Sequence, residues 1–173
     1  MKKLYAVAFL LMSVMGWSQT INFPDANFKA KLLAANTSNS TALNASLEPI
    51  IIDTNGNGEI EVSEALLVHE LTLNSSNIAN LAGIENFANL FRLRCKYNQL
   101  TSLDVSALQG LFYLDCSYNS LTQLNFNGLQ SLDELVCSHN ALTVLNLEPL
   151  DALRLFDCAV NNITALNVSV CPI

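Results

Sequence analysis

Six oxygen-bearing residues fall at close, regular intervals in the run DTNGNGEIEVSE, Asp53 to Glu64. The run matches the calcium-loop pattern D-x-[DN]-x-[DN]-G-x5-E at every defined position. Asp53, Asn55 and Asn57 would offer side-chain oxygens, Glu59 its backbone carbonyl, Glu61 a direct or water-mediated contact, and Glu64 a bidentate carboxylate. Gly58 would permit the sharp turn, and Ile60 would pack inward. Calcium is a hard cation that takes six to eight oxygens, which this run can supply. Only Asp53, Glu61 and Glu64 bring formal charge as side-chain ligands, so the affinity expected is in the weak, extracellular range. The alternative is an Asn/Gly-rich turn without metal. It draws on the extended look of EPIII before Asp53 and on the lack of a second loop to pair with.

The elements that must position this loop are set by a repeat. Four segments align at a spacing of 21: LFRLRCKYNQL from Leu90, LFYLDCSYNSL from Leu111, LDELVCSHNAL from Leu132 and LRLFDCAVNNI from Leu153. Each fits L-x-x-L-x-C-x-x-N-x-L, with Phe156 and Ile163 as conservative replacements. An earlier coil, VHELTLNSSNI from Val68, precedes them by 22 residues, with Leu73 in the Cys place and Ser76 in the Asn place. The alternation within L-x-x-L-x-C has the period of a β-strand. Leu93, Leu114, Leu135 and Phe156 are therefore expected to stack in one column, and Cys95, Cys116, Cys137 and Cys158 in the next. Asn98, Asn119, Asn140 and Asn161 fall where the chain turns away, where a buried amide can satisfy turn backbone groups. No coil buries its own apolar face, so stability must come from stacking neighbour on neighbour.

Four of the five cysteines share one rung position, so their side chains point in parallel, which disulfide geometry disfavours. They are read as buried thiols acting as small hydrophobes. Zinc has no support, since the spacing is uniform and only His69 and His139 are available. The strand positions between the buried ones are expected on an open face. One column there reads Ser75, Tyr97, Tyr118, His139 and Val160, and another His69, Phe91, Phe112, Asp133 and Arg154. A third reads Thr72, Arg94, Asp115, Val136 and Asp157, with Arg94 and Asp115 able to pair across strands. Exposed aromatics in rows are the kind of surface that anchors a partner. The candidate partner-binding set is Phe91, Arg94, Tyr97, Phe112, Tyr113, Asp115, Tyr118 and His139. The alternative is that Tyr97 and Tyr118 merely stack on each other along the ladder.

The pattern resembles the leucine-rich-repeat family, in its short internalin-like form, over residues 20–173. The Cys-bearing L-x-x-L-x-C-S-x-N-x-L-T-x-L-D-V-S form looks like secreted repeat proteins of the Bacteroidetes type. The resemblance implies an α/β solenoid with a parallel sheet on its concave face, a small helical N-terminal cap and a face that binds proteins. The loop at 53–64 is EF-hand-like. The stretch PDANFKAKLLAA from Pro24 carries Phe28, Leu32 and Leu33 at helical spacing and is expected to cover the open end of the first coil. Residues 36–47 are polar, rich in turn formers and expected to be a surface loop.

The organisation expected is a secretory signal over 1–19, a cap over 20–66 containing the 53–64 loop, and repeats over 67–173. Lys2 and Lys3 precede an apolar run, Leu4 to Met15, too short for a stable membrane anchor, and Gly16 and Ser18 fit the small residues before a cleavage point. No later run reaches the length of a membrane helix. Cys171 takes the place of Leu108, Leu129 and Leu150, so the last coil is incomplete and a longer protein is expected. Without the leader the chain carries six basic against fifteen acidic residues, a net charge of −9. That balance argues against nucleic acid as a partner. No Ser/His/Asp, Cys/His or paired-carboxylate arrangement can be assembled. The function expected is a secreted or cell-surface, non-enzymatic module, acting as a monomer, that binds a protein or glycan and carries a structural calcium ion. The alternative is a spacer or export-accessory segment of a longer surface protein.

Overall fold

The computed structural model describes residues 19–148 and 150–167. The expected leader, apart from Gln19, and the Cys171 position lie outside them. Helix α1, Ala26–Leu33, opens on Asp25, whose Oδ1 accepts the N–H groups of Asn27 and Phe28 at 2.9 and 3.0 Å. This satisfies backbone donors that a helix start leaves unpaired. Phe28 and Leu32, one turn apart, are fully buried against the first coil.

Five short strands stack in parallel: β2 (Glu70–Thr72), β3 (Arg92–Arg94), β5 (Tyr113–Asp115), β7 (Glu134–Val136) and β9 (Leu155–Asp157). The register pairs Leu71 with Leu93, Leu93 with Leu114, Leu114 with Leu135 and Leu135 with Phe156, so the expected column forms rung by rung. Cys95, Cys116 and Cys137 are buried and Cys158 is partly so; all four thiols are free. Burial pushes the thiols up, Cys137 to about 12, so they are poor nucleophiles at neutral pH.

The back of the coils carries a second set of short parallel pairs, β4 (Ser102–Asp104) with β6 (Gln123–Asn125), and β8 (Val144–Asn146) with β10 (Ala165–Asn167). The Leu-Asp-Val-Ser half-repeat generates them, with Leu103 and Leu145 directed into the core. The loop expected over 36–47 is not wholly a loop. Its Ala42–Leu43 segment forms β1, antiparallel to β2, and Thr41 and Ala42 are buried. An open parallel sheet leaves unpaired backbone groups at its edge, and β1 covers them on the cap side.

Each repeat asparagine joins two coils. The Asn119 amide Nδ2 donates to the carbonyls of Cys95 and Cys116, both at 3.1 Å, while its Oδ1 accepts from Leu100 N–H at 3.0 Å. Asn140 and Asn161 repeat this one and two coils on, and Asn98 reaches back to the Leu73 carbonyl and to Ser76 and Ile78 N–H.

Asn119→Ala would strand the Leu100 N–H inside the stack and take one of the two amide donors from each of the Cys95 and Cys116 carbonyls, which Asn98 and Asn140 also serve. A loss of about 1–3 kcal/mol is expected from the cost of an unsatisfied group, measured by chemical denaturation. A loss below about 0.5 kcal/mol would show that the amide is not a structural tie.

Candidate binding face and calcium loop

The open face is narrower than the repeat pattern suggests. Each strand is three residues long, with its middle residue turned into the core. The outward columns are therefore Glu70, Arg92, Tyr113, Glu134 and Leu155 beside Thr72, Arg94, Asp115, Val136 and Asp157. Of the first column, only Tyr113 was singled out from sequence. Strict counting by two from Arg94 would have found Arg92.

Three expectations need correction. Tyr97, Tyr118 and His139 are not strand positions: they lie in the turn that follows each strand, with φ of 56°, 53° and 55°. Ser75 and Val160 share that left-handed conformation. Asp115 is buried rather than open, its Oδ1 accepting from Ser117 N–H and hydroxyl at 3.1 and 2.6 Å. Arg94 pairs with Glu70 rather than with Asp115. Asp133 is also buried and is engaged by Arg154.

Two aromatic rows flank the strands. Phe91 and Phe112 stack at 4.9 Å with their planes 8° apart, just before the strands. Tyr97, Tyr118 and His139 stack at 4.4 and 4.1 Å just after them. The rings spend their faces on one another and offer edges and polar tips to solvent; Tyr97 is 50% and Tyr118 41% exposed. Between the rows, Arg92 and Arg94 lie over the Tyr113 ring, 5.3 and 5.2 Å from its centroid, and both reach Glu70.

The 53–64 loop brings its predicted donors together in part. Glu61 accepts from the Asn55 and Asn57 amides at 2.9 and 2.8 Å. Asp53 accepts from Asn57 and Gly58 N–H at 3.1 and 2.9 Å. Glu64, only 4% exposed, accepts from Thr54 N–H and hydroxyl, both at 2.8 Å, and from Glu61 N–H at 3.1 Å. The Glu59 side chain turns outward to Lys29 at 2.7 Å, leaving its backbone carbonyl as the oxygen it could offer. Gly56 and Gly58 take φ of 69° and 79°, which the tight coil of the loop requires and side chains resist. The donor set is all oxygen and suits calcium chemically. Among the described residues, however, no three His, Cys, Asp or Glu groups converge on one point. Asn55 and Asn57 stand between the carboxylates, so both would have to turn their carbonyl oxygens toward an ion.

The loop has a backbone partner that the sequence did not reveal. Ile21 N–H donates to the Ile60 carbonyl and Val62 N–H to the Gln19 carbonyl, both at 2.9 Å, so the residues before α1 bind along it. The cap as a whole is riveted to the first coil by Asp25, whose Oδ2 accepts from Ala79 and Asn80 N–H at 2.7 and 3.0 Å. At the same junction Gly83 has φ 104°, and a Cβ there would meet the Phe23 ring at 2.7 Å.

No protein-family model and no curated protein matches this chain. Among solved structures, the functional domain of InlJ from Listeria monocytogenes, which includes a cysteine ladder, aligns over 88% of this chain. It does so at 30% identity with a TM-score of 0.71. The fold is an internalin-like leucine-rich-repeat solenoid. An internalin, InlF, from the same species aligns over 87% of the chain at 18% identity and a TM-score of 0.53, which supports the fold alone. The solenoid spans 31% of the InlJ chain and 48% of the InlF chain. Among the described residues no helix is long and apolar enough to cross a membrane.

Burial alone would raise the Asp25 and Glu64 carboxyls, but the N–H groups aimed at them outweigh it and hold both below their ordinary values. A carboxyl whose pKa is lowered by folding contributes stability above its unfolded pKa and loses it as pH falls through the folded one. The melting temperature is therefore expected to fall below about pH 4, followed by thermal melts from pH 6 to 3. Asp25→Asn should flatten that fall, and an unchanged profile would exclude Asp25 as a contributor.

Proposed function

We propose that this chain is a non-enzymatic, protein-binding solenoid that works outside the cytoplasm through its concave strand face. The fold supports a protein-binding surface module, and the apolar start of the sequence supports export. One observation favours a protein over a glycan. The exposed rings at Tyr97, Tyr118 and His139, and at Phe91 and Phe112, are stacked face to face. A sugar ring packs on an open aromatic face, and here the faces within each row are already used. Ring edges, phenol hydroxyls and the guanidinium pair beside Tyr113 suit the polar and aromatic surface of a protein.

Tyr113→Ala and Tyr118→Ala should each weaken capture of proteins from a native cell surface, by roughly thirtyfold if the rings are anchoring contacts. Gln123→Ala on the opposite side should not. Circular dichroism melts would check that the variants stay folded. Equal capture by all three variants would overturn the concave face as the binding surface.

We also propose that calcium loads the 53–64 loop, held by Asp53, Asn55, Asn57, the Glu59 carbonyl, Glu61 and Glu64. The ion would supply charge neutralisation and cross-linking of the loop, with no catalytic part. A ligand that binds only the folded state at a hundredfold excess over its Kd adds about 2.7 kcal/mol, which corresponds to roughly 5–10 °C in Tm for a chain of this size. The test is the difference between melts with and without millimolar calcium, and Glu64→Gln should abolish that difference. Identical wild-type melts would end the proposal.

A further inference from the structure

We infer that the partner meets this face with an acidic segment, received by a basic row on a single strand. The inference rests on the reading of the concave face as a protein-binding surface.

Six Lys and Arg residues occur among the described positions, and three of them, Arg92, Arg94 and Lys96, alternate along β3 and the turn after it. Alternation by two sends all three side chains to the same side, away from Leu93 and Cys95. In a chain of net charge −7, this clustering is the strongest local departure from the overall sign.

The row is incompletely neutralised. Arg92 Nη1 and Arg94 Nη1 each reach one oxygen of the same Glu70 carboxylate, both at 3.4 Å. Charge-assisted pairs normally close to about 2.7–2.9 Å, so both contacts are loose, and two cations share one anion. Among the described residues, Lys96 Nζ has only the Tyr97 ring at 5.8 Å as a cation–π neighbour. Arg92 Nε is sequestered from water with no hydrogen-bond partner among the described residues. A buried donor left unpaired is costly and calls for an explanation. Swinging Arg92 from Glu70 onto an incoming carboxylate would let Nε and Nη pair bidentately, the geometry guanidinium favours.

Other acidic groups do not compete for the row. Asp115 is buried beneath the Ser117 donors, Asp133 is held by Arg154, and Glu134 lies two strands away on β7. Tyr113 sets the depth of the site: its ring stacks beneath both guanidinium groups and leaves their outer edges to a ligand. A peptide carboxylate laid along β3 would meet Arg92, Arg94 and Lys96 in turn, flanked by Phe91 on one side and Tyr97 on the other.

The test is fluorescence anisotropy of a labelled hexaglutamate peptide with the purified chain, at 50 and 300 mM NaCl. Wild type should bind, and binding should weaken several-fold at the higher salt. Arg92→Gln with Arg94→Gln should cost at least tenfold, and the control pair Lys29→Gln with Lys31→Gln less than twofold. Glu70→Gln removes the internal competitor and should tighten binding about three- to tenfold by relieving the shared pairing, a gain that misfolding cannot mimic. Absence of hexaglutamate binding, indifference to the arginine substitutions, or displacement by polygalacturonate more readily than by peptide would each overturn the inference. If proteins captured through Tyr113 and Tyr118 are indifferent to Arg92→Gln and Arg94→Gln, the acidic segment is excluded while the binding face stands. If those captures also ignore the tyrosines, both readings fall.

Discussion

The asparagine amide inside each turn is the constraint on which the stack depends. A strand of three residues makes few backbone bonds, and the chain must then reverse direction within a coil of only 21 residues. That reversal leaves carbonyls at Cys95, Cys116 and Cys137 with nothing local to accept from. The Asn98, Asn119, Asn140 and Asn161 amides serve them, and in doing so tie each coil to its neighbour. Seating the amide has a conformational consequence. The residue immediately before it, Tyr97, Tyr118, His139 or Val160, is left-handed although none is glycine. For L-residues this costs about 1–2 kcal/mol each, and regular backbone bonds such as Tyr118 N–H to the Ser138 carbonyl hold it in place.

On the proposed reading, the aromatic row at those positions has two roles that need not conflict. Stacking of Tyr97, Tyr118 and His139 offsets part of the left-handed strain, since aromatic pairs add about 0.5–1.5 kcal/mol beyond burial. The same geometry fixes the rings before any partner arrives, which lowers the entropy lost on binding. The alternative of a purely internal stack and the reading of a binding row thus describe the same contacts viewed from inside and from outside.

The cap solves the problem that a solenoid cannot solve by repetition. The first coil has no predecessor, so its apolar side needs Phe23, Phe28 and Leu32, and its sheet edge needs β1. Asp25 couples the two by bonding α1 with one oxygen and the first coil with the other. The 53–64 loop is folded into the same unit through the Ile21–Ile60 pairing and the buried Glu64. Its own N–H groups already serve the acidic oxygens, so the loop holds together through hydrogen bonds that an ion would have to rearrange.

What was legible in the sequence is what one coil determines alone. The 21-residue step, the inward Leu and Cys columns, the turn asparagines and the helical start at Asp25 are local patterns, and a repeat multiplies them until the signal is plain. The donor types of the 53–64 loop are local too and could be read residue by residue. Tertiary structure decided everything that depends on a neighbour one coil away or further. Arg94 turned to Glu70 on the preceding strand instead of Asp115 on the next, because Ser117 had already claimed the Asp115 carboxylate. Ala42 and Leu43 became an edge strand because β2 left its backbone groups open, which nothing in a polar stretch announces. Tyr97 and Tyr118 left the strand for the turn because the amide beside them had to reach two coils at once. Side-chain period records which way a residue points along its own strand, but the choice among outward partners is made across strands, where the sequence has no local period to show it.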